Sequence, residues 1–279
     1  MAELLIRTSL DSYEVPAGDP GWFGPDSIAW QVHADLASML VGGMSALLLQ
    51  TLHPLVMKGV ADHSNYGTDP FGRLQRTAEF IAGTTYGGDE LASDLVRHVR
   101  SIHARVRGVA DANRPYRATE PALLTYVHVT EVWSFLRAHQ RYSGRPLLTS
   151  EKNQYLAEMS VVARRLGARD VPTTTAEVQE YLRLVRPVCE MTAEARETVG
   201  FLMTSPVGES VLRRSAYATI CEAAIDLLPM WARHRLGLYR PSPVRLALVR
   251  PAATVLTSAL RFVVGGSPVR DAAERRAAS

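Results

Sequence analysis

The stretch SIHARVRG, residues 101 to 108, places a histidine where the apolar side of a helix should lie. His103 falls in line with Val96, Val99 and Val106, among side chains that should face the interior. An imidazole in such a place is either a core histidine bonded to a backbone carbonyl or a ligand for a buried group. The spacing of this segment alone leaves both alternatives open.

The helix expected around His103 has one apolar arc with cations at its edge. At about 100° per residue the arc is about 140° wide. Arg100 and Arg107 lie at its margin, within reach of an anionic group bound beside the imidazole. The arc consists of Leu91, Ala92, Leu95, Val96, Val99, Ile102 and Val106.

The preceding helix has polar side chains on a line that runs beside apolar ones. Arg73, Thr77, Phe80 and Thr84 share this line. A buried guanidinium without a partner costs several kcal/mol, so Arg73 requires a carboxylate, a cofactor acid group or water nearby. The alternative is that this face of the helix is turned to solvent.

A second histidine lies on a later helix, with a carboxylate one turn on. His128 is in line with Leu124 and Phe135, and Glu131 follows three residues later. The two could ligate a metal or form an imidazole–carboxylate pair. A di-iron site is disfavoured, because such bundles use Glu-x-x-His motifs from two helices and here the order is reversed and occurs once. The sequence also lacks HExxH, GxSxG, Walker A and GxGxxG motifs, which leaves metalloprotease, hydrolase and nucleotide-binding functions without support.

Apolar residues recur every three or four positions and strict alternation is rare, which predicts an all-α, single globular multi-helix domain. We expect an N-terminal arm at 1–21, the helical domain at 22–240 and a basic helical tail at 241–279 that packs on the domain. Loops are expected at 63–70 and 113–121, and a capping box at Thr174 and Glu177. Helices are expected at about 26–52, 71–84, 90–107, 121–142, 149–167, from 174, 192–203 and 207–235, followed by proline-punctuated helices in the tail.

The composition indicates a soluble protein of a reducing compartment. The chain has 279 residues, of which 47% are hydrophobic and 21% charged, so it can bury a sizeable core. Its two cysteines, Cys189 and Cys221, are far apart, which argues against a CxxC zinc site, covalent haem attachment and a disulfide framework. The first residues lack a basic stretch followed by an apolar run, so no secretory signal is expected. A cytoplasmic location fits best.

Residues 36–57 are the segment to consider as a transmembrane helix, because they carry no formal charge. The segment contains Gln50, His53 and Pro54, and its purely apolar part is shorter than the roughly 20 residues that a bilayer span needs. We therefore expect a buried core helix. The tail from residue 240 has seven arginines against Asp271 and Glu274. We expect it to be a solvated terminal helix with at most weak contact with a membrane surface and no nucleic-acid partner.

Five blocks in order give the chain a family resemblance, which begins at about WFGPDS. The blocks are HPLVMKGVADHSNY, DPFGRLQRT, SIHARVRG, NRPYRATEPALLTYVHVTEVWSFL and LLPMWARHRLGL. In these blocks the chain resembles the latex-clearing protein and MpaB-type oxygenase family, also called rubber oxygenases. The resemblance runs from residue 22 to the tail.

This resemblance implies an all-α protein that binds haem b without covalent attachment and uses dioxygen to cleave double bonds in isoprenoid chains. The family's arginine and threonine, four residues apart, match Arg73 and Thr77. Its proximal iron ligand matches His103, with His128 as the reserve candidate. The apolar side chains Phe80 and Val99 would then form a dry wall for the porphyrin, and Arg107 could pair with a propionate.

The sequence departs from the rubber oxygenases at two positions. Arg76 replaces a lysine that can ligate the distal side of the iron, and a guanidinium stays protonated and cannot coordinate. The glutamate expected upstream of Arg73 is missing, since no glutamate lies between Glu14 and Glu79. Its role as a base would fall to a residue such as Asp62, His63 or Asp69.

These departures favour chemistry on a hydrophobic small molecule over cleavage of polyisoprene. We expect a haem-dependent oxygenase, or a peroxidase-like oxidase, that uses dioxygen or peroxide, with Arg73, Thr77 and Arg76 as catalytic residues. The alternative is a helical haem carrier or sensor without catalysis. A distal acid or base favours the enzyme, whereas a second axial ligand favours the carrier.

Overall fold

The computed structural model describes residues 9–64, 69–204, 210–238, 242–264 and 267–279. Within these ranges the chain forms thirteen α-helices and one small antiparallel sheet of two strands, so the all-α prediction is confirmed. The elements are α1 (Ile28–His33), α2 (Leu36–Gln50), α3 (Pro54–His63), α4 (Pro70–Tyr86), α5 (Asp89–His103), β1 (Arg107–Ala110), β2 (Arg114–Arg117), α6 (Pro121–Tyr142), α7 (Thr149–Leu166), α8 (Thr175–Val185), α9 (Ala193–Thr204), α10 (Val211–Leu227), α11 (Met230–Leu236), α12 (Pro243–Val264) and α13 (Pro268–Ala278).

The centre of the fold is the pairing of α2 with α6, the most extensive contact between helices. Gly42 allows the two backbones to approach closely, because a Cβ there would lie 2.8 Å from the Phe135 Cδ1 atom and 3.1 Å from the Ser134 carbonyl oxygen. The main core cluster forms around α6, from side chains of α1, α6, α7 and α8. Most of α2 is buried, as expected for a core helix.

The predicted helix at 26–52 is wrong, because the chain breaks between α1 and α2. Asp35 is the N-cap of α2, and its side chain accepts hydrogen bonds from the Ser38 amide and hydroxyl. This N-cap interaction begins a new helix at Leu36, although the apolar pattern continues across the break. Pro54 then begins α3 with its fixed φ and missing N–H, which suit the first position of a helix.

The third predicted helix ends earlier than expected. We predicted helix to about Arg107, but α5 ends at His103, and Arg107 begins β1. The predicted loop at 113–121 likewise contains β2, which pairs with β1 so that Gly108 faces Tyr116. A Cβ at Gly108 would lie 2.6 Å from the Tyr116 hydroxyl oxygen, so the hairpin requires glycine here. Asn113 takes the left-handed conformation, φ 57°, next to the turn.

The later helices agree better with the prediction. The helices α6 and α7 match 121–142 and 149–167, and the Thr174–Glu177 capping box is present. The single helix predicted at 207–235 is wrong, since α10 ends at Leu227 and α11 begins at Met230. Pro229 separates them because it has no amide hydrogen for the helix ladder. Residues 207–209 of that prediction, and 65–68 of the predicted loop at 63–70, lie outside the described residues.

Two arginines join the C-terminal helices to the rest of the protein. On α12, Arg250 pairs with the buried Asp226 of α10 at 3.0 Å. On α13, the buried Arg276 donates to the carbonyl oxygens of Tyr13, at 2.8 Å, and Asp19, at 2.7 Å. The last helix therefore packs against the N-terminal segment. The domain boundaries at 22 and 241 stay a prediction.

Among the described residues, no single helix has the length and apolar composition to cross a membrane. The helices α2 and α3 meet these criteria only as a pair, and they are bent by 105° relative to each other.

Candidate functional site

His103 is the last residue of α5 and is half-buried. Its Nδ1 atom is buried and has no hydrogen-bond partner in the part of the chain that the structure describes. Burial lowers the pKa of the imidazole below its ordinary value, so the ring is neutral at neutral pH. A neutral imidazole keeps the lone pair that a metal ligand needs.

Four of the predicted residues lie on α4. Three of them are near its exposed start, and the fourth lies further along the helix. Arg73 is half-buried, and its Nη1 atom donates to the Ser64 hydroxyl at 2.9 Å. Thr77 is exposed and donates to the Arg73 carbonyl oxygen at 3.0 Å. Arg76 is also exposed. Phe80 is half-buried and packs against the main core cluster.

His128 and Glu131 share one face of α6 and are both half-buried. The Nε2 atom of His128 is buried without a hydrogen-bond partner among the described residues. Burial, with a smaller effect of Arg164, lowers the pKa of this ring to about 4. Burial raises the pKa of the Glu131 carboxyl to about 7. Both groups have therefore lost most of their hydration.

The structure brings the regions of His103 and His128 to the same end of α7. One turn before His103, Arg100 donates to the Arg165 carbonyl oxygen at 3.1 Å. One turn before His128, Thr125 donates to the Arg169 carbonyl oxygen at 2.8 Å. Residues 165 and 169 flank the C-terminus of α7, so both histidines lie within about one helical turn of a contact with this end.

Three of these side chains are partly buried and partly accessible. His103, His128 and Glu131 have pKa values shifted by desolvation, yet each keeps part of its surface accessible. A group in open solvent would keep its hydration, and a group in a filled core would have no accessible surface. The three side chains are therefore desolvated by the packed helices without being fully enclosed.

Two of the predicted cofactor-binding residues lie at different depths. Val99, one turn before His103 on α5, is half-buried, as an apolar wall requires. Arg107 is exposed on β1, and its carbonyl oxygen is 3.2 Å from the His63 Nε2 atom. The structure therefore does not place Arg107 on the same helix as His103, although the prediction did.

The three alternative bases have structural contacts of their own. Asp62 accepts a hydrogen bond from the Tyr116 hydroxyl at 2.6 Å and pairs with Lys58 at 2.9 Å; these bonds hold the pKa of its carboxyl below the usual value. Asp69 caps α4 by accepting from the Gly72 amide at 2.9 Å. His63 is exposed at the end of α3.

A buried polar chain beside the main core was missed by the sequence reasoning. His33 on α1 lies between Thr85, with Nδ1 2.8 Å from Oγ1, and Tyr155, with Nε2 3.0 Å from the hydroxyl. Burial, with a smaller effect of His139, lowers the pKa of His33 to about 3. The only signal in the sequence was a histidine inside the apolar segment IAWQVH, which is shared by many core histidines.

Among the described residues, no group of three histidine, cysteine, aspartate or glutamate side chains could hold a metal ion. A haem iron needs only one axial side chain from the protein, because the porphyrin supplies four ligands. His103, with a neutral ring and an unpaired buried nitrogen, fits that requirement.

The comparison with protein families gives one match. The family of the ER-bound oxygenase mpaB/B′ and rubber oxygenase catalytic domain matches residues 30–258, which is most of the chain. This range contains every predicted site residue, from Arg73 to His128. No curated protein and no solved structure matches the chain.

Proposed function

Because the chain belongs to the mpaB and rubber oxygenase catalytic-domain family, we propose that it is a haem b-dependent oxygenase that acts on a hydrophobic small molecule. Membership of this family makes it an enzyme of the oxygenase class, with dioxygen and a small-molecule substrate as partners. The haem, the iron ligand and the kind of substrate are the proposal. Peroxide in place of dioxygen would give the peroxidase-like form of the same chemistry.

The observation that carries the proposal is the state of His103. Its ring is neutral and half-accessible, it ends a helix, and its buried Nδ1 atom lacks a partner among the described residues. A histidine with a purely structural role would be expected to bond to a carbonyl or a side chain. The ring is thus free to bind a ligand from its accessible side, as an axial ligand of haem must.

The surrounding residues support this role by excluding water and providing positive charge. Val99 and Phe80 supply apolar surface, and Arg100 lies one turn before His103, where its guanidinium could meet a propionate. Arg73 and Thr77 stand nearer the exposed start of α4, where they could orient a bound substrate or dioxygen. When bound, the haem would supply the redox chemistry that the protein side chains lack.

The kind of substrate is inferred from the positions at and before α4 where the chain differs from the rubber oxygenases. Arg76 cannot act as the distal lysine of rubber oxygenases, and Asp62 and Asp69 are already engaged in structural bonds. We therefore expect weak or no cleavage of polyisoprene, and oxidation of a smaller hydrophobic molecule.

A haem carrier or sensor remains the second candidate because of His128. Its unpaired, buried Nε2 atom and neutral ring make it a possible second axial ligand. Two imidazoles on one iron would close the site to dioxygen and favour electron transfer or sensing over oxygenation.

The test of haem binding uses absorption spectra of three variants after reconstitution with haem b. We expect the wild-type protein to show a Soret band that His103→Ala abolishes or shifts. The matched control is His98→Ala, because His98 is exposed on the same helix and should leave the band unchanged. A wild-type protein without a Soret band contradicts the proposal, and a spectrum lost in His128→Ala but kept in His103→Ala moves the ligand to α6.

A further inference from the structure

The hairpin of β1 and β2 places two arginines directly opposite each other. Its register pairs Arg107 with Arg117. The Ala118 amide donates to the Val106 carbonyl oxygen at 2.9 Å, so 106 and 118 form a hydrogen-bonded pair and 107 and 117 form the adjoining non-hydrogen-bonded pair. Facing Cα atoms are closest, about 4.5 Å apart, in pairs of the second kind. The two arginine side chains therefore start from neighbouring points on one face of the hairpin.

The face that carries this pair is exposed and basic. No acidic side chain forms an ion pair with Arg107 or Arg117 in the described part of the chain, whereas Arg114, on the other face, pairs with Glu190 at 3.4 Å. Residues 104–119 contain four arginines against one aspartate, so their formal charge is +3, equal to that of the whole chain. The positive charge of the protein is thus concentrated on this hairpin, since the remaining residues are neutral in sum.

Folding alone does not explain the facing arginines. Like charges directly opposite on antiparallel strands destabilise a sheet, and a hairpin of two strands is marginally stable at best. The contacts that hold the hairpin lie on its other face, where the buried Tyr116 donates to the Asp62 carboxylate of α3 at 2.6 Å. Arg107 and Arg117 add repulsion without a compensating partner. An anion bound between the two guanidinium groups would remove that repulsion.

The next pair on the same face is apolar. Val109 faces Pro115, and both side chains are exposed, Val109 by 55%. Residues two apart on a strand share a face and lie about 7 Å from each other. The outer face of the hairpin therefore presents a cationic pair beside an apolar pair, an arrangement that fits a molecule with an anionic head and an apolar body.

We propose that this face, formed by Arg107, Arg117, Val109 and Pro115, binds a phosphate monoester carried by an apolar chain. A monoester has a charge of about −1.5 to −2 near pH 7 and three terminal oxygens, so it can accept hydrogen bonds from two guanidinium groups. A phosphodiester or a carboxylate has one charge and two such oxygens, which satisfy one guanidinium group. The site goes beyond the proposed oxygenase function and does not require haem.

The first experiment measures binding of the full chain, without added haem, to phosphatidylcholine vesicles that contain phosphatidic acid, a monoester lipid. The control vesicles contain phosphatidylglycerol, a diester lipid, at equal surface charge. We expect co-sedimentation to show at least about 10-fold tighter binding to the monoester vesicles, because the additional charge-assisted hydrogen bonds form only there. Equal binding to both kinds of vesicle, or binding to neither, overturns the proposal.

Variants of the hairpin test the assignment of the residues. Arg107→Gln and Arg117→Gln should each weaken binding to the monoester vesicles about 10-fold. The double variant Arg107→Lys/Arg117→Lys keeps the charge but loses the planar fork, so it should also weaken binding. Arg114→Gln is the matched control, because it removes one charge from the other face of the same hairpin. Equal losses in Arg114→Gln and Arg117→Gln overturn the proposal, since general attraction would then explain the binding.

Inorganic phosphate separates a lipid headgroup from a free anion. We expect it to displace the protein from the vesicles only weakly, because it has no apolar chain to contact Val109 and Pro115. Val109→Ser should weaken vesicle binding without changing the affinity for inorganic phosphate. If isothermal titration shows that inorganic phosphate binds as tightly as the monoester vesicles, the claim for an apolar chain is overturned.

A role of the pair in holding haem propionates has a different signature. Arg117→Gln should keep the Soret band of the haem-loaded protein, and loss of haem from this variant would overturn the proposal in favour of a propionate site. Failure of the proposed function is distinguishable, because a wild-type protein without a Soret band leaves the vesicle measurements unaffected.

Discussion

Arg76 shows how one side chain can change the distal side of the proposed haem site. It is exposed on α4, with its Nη1 atom 3.4 Å from the Asp69 carboxylate. A guanidinium remains protonated in proteins and has no lone pair for iron. The closed state that the resemblance attributes to a distal lysine is therefore unavailable to this residue.

The prediction for Arg76 concerns the electron paramagnetic resonance of the ferric, haem-loaded protein. We expect a predominantly high-spin signal, because one imidazole from His103 leaves the sixth position open or filled by water. Arg76→Lys should introduce some low-spin signal if the position faces the iron. A dominant low-spin signal in the wild type would contradict the open site and favour His128 as a second ligand.

Glu131 should also affect stability, in a direction fixed by its pKa. The pKa is raised from the ordinary 4.5 to about 7 in the folded protein, so the folded state binds the proton more tightly than the unfolded chain. The contribution of Glu131 to stability should be fully present below about pH 4.5 and should be lost as the pH rises to about 7, by up to about 3 kcal/mol. Above pH 7, Glu131→Gln should therefore have a higher free energy of unfolding than the wild type.

Urea denaturation of the haem-free protein at about pH 5 and about pH 8 measures this effect. The gap between Glu131→Gln and the wild type should widen at the higher pH. Glu120→Gln, a control at the exposed glutamate that precedes α6, should follow the wild type at both. An equal gap at both pH values would mean that Glu131 does not titrate between them.

At the scale of the elements, the contact of α2 with α6 depends on one of two adjacent glycines. A Cβ at Gly42 would press on the Phe135 ring and on the Ser134 backbone, while a Cβ at Gly43 would meet only the Phe135 Cε1 atom at an ordinary 3.9 Å. We expect Gly42→Ala to destabilise the protein by about 1–3 kcal/mol. Gly43→Ala should be neutral or stabilising by about 0.5–1 kcal/mol, because alanine favours the helix. Thermal unfolding of the two variants checks the prediction, and equal effects would contradict it.

The sequence predicted the helices whose ends carry local signals. Thr174 with Glu177 and Gly167, which ends α7 with φ 112°, mark their boundaries through their own side chains or backbone. The break at Asp35 was missed because apolar spacing continues through it, and the hairpin after His103 was missed because its two four-residue strands are too short to show an alternating pattern. Local periodicity reports which side of a helix is buried, and gives less information on where the helix stops.

The sequence predicted candidate site residues but not their arrangement in space. The sequence singled out His103, His128 and Glu131 from their places on apolar faces, and in the structure burial shifts the pKa of all three. The position of His103 and His128 near the C-terminus of α7 could not be predicted, because it follows from packing between helices. The role of each residue stays a prediction for the spectra described above.

At the scale of the whole molecule, Arg276 connects the two ends of the described chain. Its buried guanidinium bonds to the Tyr13 and Asp19 carbonyl oxygens, whereas the neighbouring Arg275 pairs with Glu14 on the surface. Arg276→Met should cost about 3 kcal/mol, since it leaves buried carbonyls without donors. Arg275→Met should cost less than about 1 kcal/mol. Urea unfolding and limited proteolysis near residue 19 measure the difference, and similar losses in the two variants would contradict it.

The distance along the chain between these partners also sets an order of events during synthesis. Arg276 is translated 257 residues after Asp19. At about 5–20 residues per second, the ribosome needs roughly 13 to 51 seconds to cover that interval. Throughout that time the cluster around Tyr13 and Trp30 lacks the side chains of α13 that finally cover it. The nascent protein thus carries an unfinished apolar surface around Tyr13 and Trp30, and a chaperone that binds early would have to hold it until α13 emerges.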